Sequence, residues 1–229
     1  MQKNVLIIGT SHSACQCDGK IYTYGRWHDF FKTDFGWETT VLSEPGTTAQ
    51  KQLLSLINYL NDNPEKTWDM CIIEGRCLEN IINVPDDNNM ETTVIHENAK
   101  YHKQIYPWAV PYVYSVNQCI DNCSANLAMI ELLSKVCTTT KMWVWYRPDN
   151  YRDGDEFVTH RKIENKLLGN HFLFEDYYSE VTSGMPHEYK CKCGHANQNG
   201  NEWIWKKSIK PEVMRLLGDQ YEENIHINN

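Results

Sequence analysis

Residues 5–14 read VLIIGTSHSA: four apolar residues, a glycine, and then hydroxyls set around a histidine. Val5 to Ile8 suit a strand covered on both faces, because a strand with one wet face alternates apolar with polar residues and this one does not. Gly9 marks the point where the chain turns sharply out of that strand. A side chain just beyond it stands at the carboxyl edge of a sheet, where open α/β folds place their sites. Thr10, Ser11 and Ser13 are equally good N-cap types. Taken alone, the segment therefore fits both a capped turn and an exposed reactive hydroxyl.

Further apolar runs recur along the chain with helix-like segments between them, the pattern of a parallel sheet with crossover helices. Strands are expected near Thr39–Leu42, Met70–Ile73, Met142–Trp145 and Phe172–Phe174. Thr48–Leu60 places Leu53, Leu54, Ile57 and Leu60 at helical spacing, and Asn117–Val136 does the same with Ile120, Leu127, Ile130 and Leu133. Asp155–Leu168 and Glu202–Leu217 complete the helices, with Pro211 a kink or boundary in the last. The fold class that follows is α/β, a three-layer sandwich of helix on sheet on helix. The stretch 84–116, with Asp86-Asp87-Asn88-Asn89, clustered aromatics and three prolines, does not fit the alternation and reads as an insertion over the sheet edge.

At 229 residues, with 41% hydrophobic and 12% aromatic content, the chain suits one well-buried domain. A formal charge of −8 without a basic stripe argues against a nucleic-acid partner, which needs clustered Lys and Arg. No run is long enough to span a bilayer, and Met1-Gln2-Lys3-Asn4 leads straight into the first strand, so neither membrane insertion nor a signal peptide is expected and synthesis is placed in the cytoplasm. Nine cysteines cannot all pair, and metal ligation or burial is the expected use in a reducing compartment. Release within a virus particle would relax that inference.

Two further segments carry chemistry. SEPGTTAQ, residues 43–50, puts Gly46 in the loop after the second major strand, as an oxyanion donor or as a glycine turn before an N-cap. CGHANQNGNEWIW, residues 193–205, sets His195 in a polar loop before the final helix, as a base or as a solvated or capping residue.

Together, Gly-Thr-Ser after the first strand, the Gly46 loop, and His-Ala-Asn-x-x-Gly-Asn before the last helix resemble the SGNH/GDSL hydrolase family over nearly the whole chain. The resemblance implies a mostly parallel, flavodoxin-like sheet and a serine esterase or deacylase that needs no catalytic cofactor. It makes Ser11 the nucleophile and His195 its general base, with the backbone amides of Ser11 and Gly46 holding the oxyanion. The implied substrate is a small-molecule or carbohydrate ester, an O-acetylated carbohydrate among them. His12, adjacent to Ser11, is expected to form a wall of the site.

Two departures from the family pattern stand out. In IIEGRCLEN, residues 72–80, Gly75 matches but Cys77 stands where the family has an oxyanion-donating Asn; Arg76 or Asn80 could serve instead, and Arg76 could equally pair with Glu74 or Glu79. Lys192 stands where the family has the acid that orients the base, with Glu188 and Asp149 as unsupported replacements. A noncatalytic binding or structural module of the same fold, such as a phage-particle component, is the alternative reading. A nucleotide-binding turn at Gly9–Ser13 is a weaker third, since no lysine-bearing P-loop is present.

If Ser11 and His195 meet, Cys15-x-Cys17 and Cys191-x-Cys193 must also lie close together. Structural zinc on Cys15, Cys17, Cys191 and Cys193 is one expectation; disulfides or packed thiols are the others. Cys71, Cys119 and Cys123 read as buried. The aromatics Trp143, Trp145 and Tyr146, with Tyr106, Trp108, Tyr112 and Tyr114 of the insertion, suit a core, a sugar-stacking platform or a protein-partner surface.

Overall fold

A computed structural model describes residues 2–18, 20–75, 81–85, 92–96, 115–144, 155–173 and 184–218. The apolar run at the N-terminus forms β1 (Asn4–Gly9). A short antiparallel ladder follows, β2 (Gln16–Cys17) against β3 (Lys20–Ile21), and then the helix α1 (Phe30–Phe35). The chain continues through β4 (Glu38–Ser43), α2 (Ala49–Asp62) and β5 (Trp68–Gly75). Beyond lie an antiparallel pair, β6 (Ile81–Pro85) and β7 (Thr92–His96), the helix α3 (Val116–Leu133), and β8 (Cys137–Val144). The helices α4 (Asp155–Leu168), α5 (Gln198–Ile204) and α6 (Lys210–Leu217) complete the described chain.

Four strands make the main sheet in the order β4-β1-β5-β8, and every neighbouring pair is parallel. Phe172 adds a single parallel bridge to Met142 on the outer side of β8, where a fifth strand was expected; Phe174 and Trp145 lie outside the described residues. The expected α/β/α sandwich with its parallel sheet is therefore present.

The two-faced burial of β1 explains its unbroken apolar run. Leu6 and Ile8 face a layer holding Leu56, Cys119, Cys123, Met129 and Leu133, while Val5 and Ile7 face Trp27, Phe31, Trp37, Trp205 and Val213. In β5, Cys71 and Ile73 divide from Met70 and Ile72 in the same way. Each such side chain contributes roughly 1.5–3 kcal/mol on leaving water.

Helix faces follow the sequence expectation in part: Leu53, Leu60, Leu127, Ile130 and Leu133 pack into the core as expected, while others do not. In α2 the buried face is Ala49, Gln52 and Leu56, while Leu54 and Ile57 are exposed. In α3 Ile120 is exposed, and Cys119, Cys123, Asn126, Met129 and Leu133 turn inward. Spacing alone cannot distinguish neighbouring stripes when apolar residues fall on both, and here small thiols and amides fit the close approach to the sheet better than branched chains do. Near Pro211 the helix runs through a π-turn, Trp205–Ile209, before α6 begins, consistent with a residue that has no N–H to give the preceding turn.

Candidate active site

The carboxyl edge of the sheet gathers the site. β1 ends at Gly9 beside Ser43 of β4, so the turn carrying Ser11 and the loop carrying Gly46 leave the sheet side by side. Gly46 has φ of 73°, the left-handed region that a glycine enters without strain.

Beneath the Ser11 turn lies a residue that sequence reading weighed only as a partner for Arg76. Glu74, at the end of β5, is fully buried and accepts the backbone N–H of Thr10 at 2.9 Å and that of Ser13 at 2.8 Å. The Thr10 hydroxyl also donates to this carboxylate. One carboxylate thus holds both ends of the turn that presents Ser11. Gly9 is required here, because a Cβ would meet Glu74 Oε2 at 2.6 Å and press on the Ser13 side chain. The available signal was an acidic residue closing an apolar strand in IIEG.

A second brace is His28, also fully buried. Its Nε2 lies 3.1 Å from the Ser13 carbonyl, which can only accept, so that nitrogen carries a proton. Burial, helped by the Arg26 charge, pushes His28 down to about 4.

From the other end of the chain, Asn197 caps α5 by accepting the Gly200 N–H at 3.0 Å. With Asn197 as the cap, the imidazole of His195 is directed elsewhere: its Nε2 lies 2.8 Å from Ser11 Oγ. The two residues that sequence reading paired across the chain are in hydrogen-bond contact. The His12 ring lies tilted against that of His195, with centroids 4.4 Å apart.

The other ring nitrogen of His195, Nδ1, lies 3.3 Å from Cys193 Sγ. That sulfur also accepts the Asp18 N–H at 3.1 Å, and the Asp18 carboxylate returns the contact by accepting the Cys193 N–H at 3.2 Å. Asp18 reaches this geometry with φ of 47°. Glu188 is exposed in the turn His187–Tyr189, where its carbonyl accepts Asn197 Nδ2, and Lys192 is exposed. Arg76, Cys77, Asn80 and Asp149 lie outside the described residues.

The cysteines correct the four-thiol expectation. Cys17 and Cys191 form a disulfide, with Cα atoms 5.8 Å apart, joining the loop after Ser11 to the loop before His195. Cys15 turns into the core against Asn201 and the His12 carbonyl, and burial pushes its thiol up to about 12. Cys17, Asp18 and Cys191 do offer ligand atoms within 4.8 Å of one another, yet sulfurs joined in a disulfide are not thiolate ligands. Cys71, Cys119 and Cys123 are buried as expected. Trp143 is core, set edge-on to Trp27 with centroids 5.1 Å apart; Trp145, Tyr146 and the insertion aromatics lie outside the described residues.

Several solved structures share this fold. One is TesA, at 14% identity and TM-score 0.56, with 93% of this chain and 99% of that one covered. The chain has the fold of the SGNH/GDSL hydrolases. A catalytic mutant of Axe2, an acetylxylan esterase from Geobacillus stearothermophilus, aligns at 11% identity and TM-score 0.54 over 93% of this chain and 94% of that one. The psychrotrophic esterase EstA from Pseudoalteromonas sp., in a structure inhibited by monoethylphosphonate, aligns at 12% identity and TM-score 0.54 over 95% and 100%. No protein-family model matches the chain. No curated protein matches it by sequence either. The fold brings Ser11 and His195 together from the two ends of the chain. Among the described residues no helix is long and apolar enough to cross a membrane.

Proposed function

We propose that this chain is an SGNH-type ester hydrolase in which Ser11 is the nucleophile and His195 the general base. The observation that carries this reading is the 2.8 Å contact between Ser11 Oγ and His195 Nε2, made between residues 184 positions apart. A hydroxyl held on a braced turn at the sheet edge, with an imidazole at hydrogen-bond distance, is the minimum apparatus for acyl transfer.

In the proposed reaction Nε2 takes the Ser11 proton as Oγ bonds to the ester carbonyl carbon. The tetrahedral intermediate places its negative oxygen against the N–H groups of Ser11 and Gly46, with Arg76 as a further donor. Collapse breaks the bond to the alcohol, which leaves with the proton from His195. Water, deprotonated by the same imidazole, then attacks the acyl-enzyme and releases the acid. No cofactor enters any of these steps.

The substrate class is an ester of a small molecule or carbohydrate, with an O-acetylated carbohydrate favoured by the likeness to an acetylxylan esterase. The reading takes the chain as one domain with an insertion near 84–116. The test is covalent labelling by a fluorophosphonate probe, followed by acetate release from acetylated xylo-oligosaccharides. Label on the wild type that disappears in Ser11→Ala supports the reading; folded wild-type protein that takes no label overturns it in favour of a noncatalytic module.

A further inference from the structure

We infer that Cys193 positions His195, its sulfur facing the imidazole nitrogen that an orienting acid would face, where Lys192 occupies the family's acid position. The inference rests on the hydrolase reading and extends it to the question of what orients the base.

For Nε2 to accept the Ser11 proton it must be bare, so the imidazole must carry its resting proton on Nδ1. A proton on Nδ1 is kept there by an acceptor, and Cys193 Sγ lies 3.3 Å from Nδ1. That the sulfur works as an acceptor is fixed independently: the Asp18 backbone N–H, which can only donate, points at it from 3.1 Å. The sulfur is itself held in place. Cys193 N–H donates to Asp18 Oδ1 at 3.2 Å, and the Cys17–Cys191 disulfide ties the two loops immediately beside this pair. Asp18, Cys193, His195 and Ser11 therefore form a continuous relay in which each partner restricts the next.

An orienting group so placed has two duties. It selects the tautomer with the proton on Nδ1, and it stabilises the imidazolium that forms when Ser11 attacks. A sulfur two residues before the histidine differs from a side chain three residues before it, because the former must approach along the loop's own turn. The turn closed by Gly194 N–H to the Cys191 carbonyl, at 2.9 Å, and by Cys191 N–H to the His195 carbonyl, at 2.7 Å, provides that approach.

The experiment uses the full chain and p-nitrophenyl acetate as probe ester, together with the fluorophosphonate labelling rate. Four proteins are compared: wild type, Cys193→Ala, Cys193→Ser and Cys193→Asp. The bond from the residue-193 backbone N–H to the Asp18 carboxylate is open to all of them, while the Asp18 N–H contact to the sulfur is lost in Cys193→Ala, so the denaturation midpoint of each variant is measured alongside. Cys193→Ala is expected to lose kcat on the order of 10²-fold with KM within about twofold, the signature of a lost orienting partner. Cys193→Asp is expected to recover most of that loss, with Cys193→Ser between. Histidine ¹⁵N spectra give a readout independent of turnover: wild type holds His195 in the Nδ1–H tautomer, and Cys193→Ala shifts it toward the Nε2–H form. Labelled wild type with Cys193→Ala equally active and its tautomer unchanged overturns the role of Cys193 and leaves the hydrolase reading standing. Wild type that takes no label overturns both.

Discussion

Glu74 accepts the backbone N–H of Ser13 at 2.8 Å from a position 61 residues away, and by that contact fixes the turn that carries the nucleophile. The carboxylate is fully buried, and its oxygens answer donors on both sides of Ser11. Replacing it by Gln puts an NH2 group against N–H donors and leaves buried groups unmatched. Glu74→Gln is expected to lower stability by about 2–4 kcal/mol, read by urea denaturation, and to slow fluorophosphonate labelling further than the loss of folded protein accounts for. A variant with wild-type stability and wild-type labelling would show that the turn holds itself.

Ser11 and His195 act on one proton, so their removal is not additive. Ser11→Ala and His195→Ala are each expected to reduce kcat on an activated ester by at least roughly 10³-fold, and the double variant to fall no further than the worse single one. Additive losses in the double variant would mean that the 2.8 Å contact is not the working pair.

His28 makes stability depend on pH. Its pKa in the folded chain is lowered to about 4 by burial, with Arg26 adding to the effect and Asp29 opposing it. Below about pH 6.5 the unfolded chain binds a proton at this histidine while the folded chain still refuses it. The contribution of neutral His28 is therefore whole above about pH 6.5 and is lost as pH falls toward 4, amounting to up to about 3 kcal/mol over that window. His28→Gln, whose amide can donate to the Ser13 carbonyl at any pH, is expected to flatten the slope of stability between pH 7 and pH 4.5. An unchanged slope would assign the acid sensitivity to other groups.

The Cys17–Cys191 disulfide closes a span of 174 residues. On the chain-entropy account its loss favours the unfolded state by about 5 kcal/mol. Cys17→Ser is expected to lower the denaturation midpoint accordingly and, since the bond lies beside the Asp18–Cys193 contact, to reduce the labelling rate at temperatures where the variant is folded. Dithiothreitol is expected to do the same to wild type and nothing further to Cys17→Ser, with mass spectrometry checking the pairing.

The layer order was legible in the sequence because the two central strands, β1 and β5, declare themselves locally. VLIIG and MCIIEG are apolar on consecutive residues, which only a strand buried on both faces requires, and the turn residues after them mark the sheet edge. The pairing of Ser11 with His195 was legible through resemblance of short blocks. The helix faces were legible only in part, since Leu54 and Leu56 are equally apolar and only packing against the core selects the second.

By itself, then, the sequence determined a parallel α/β/α sandwich with a hydroxyl at the tip of its first strand and an imidazole before its last helices. Tertiary structure alone decided what surrounds them: Glu74 under the turn, Cys193 behind the imidazole, Cys17 joined to Cys191, and Cys15 turned into the core. The physical reason is range. Propensity and periodicity act over a few residues, whereas the Glu74–Thr10 contact spans 64 positions and the Asp18–Cys193 contact spans 175. Such contacts exist only once the sheet register has set the two loops side by side, and the choice among thiol, disulfide and hydrogen-bond acceptor is made there.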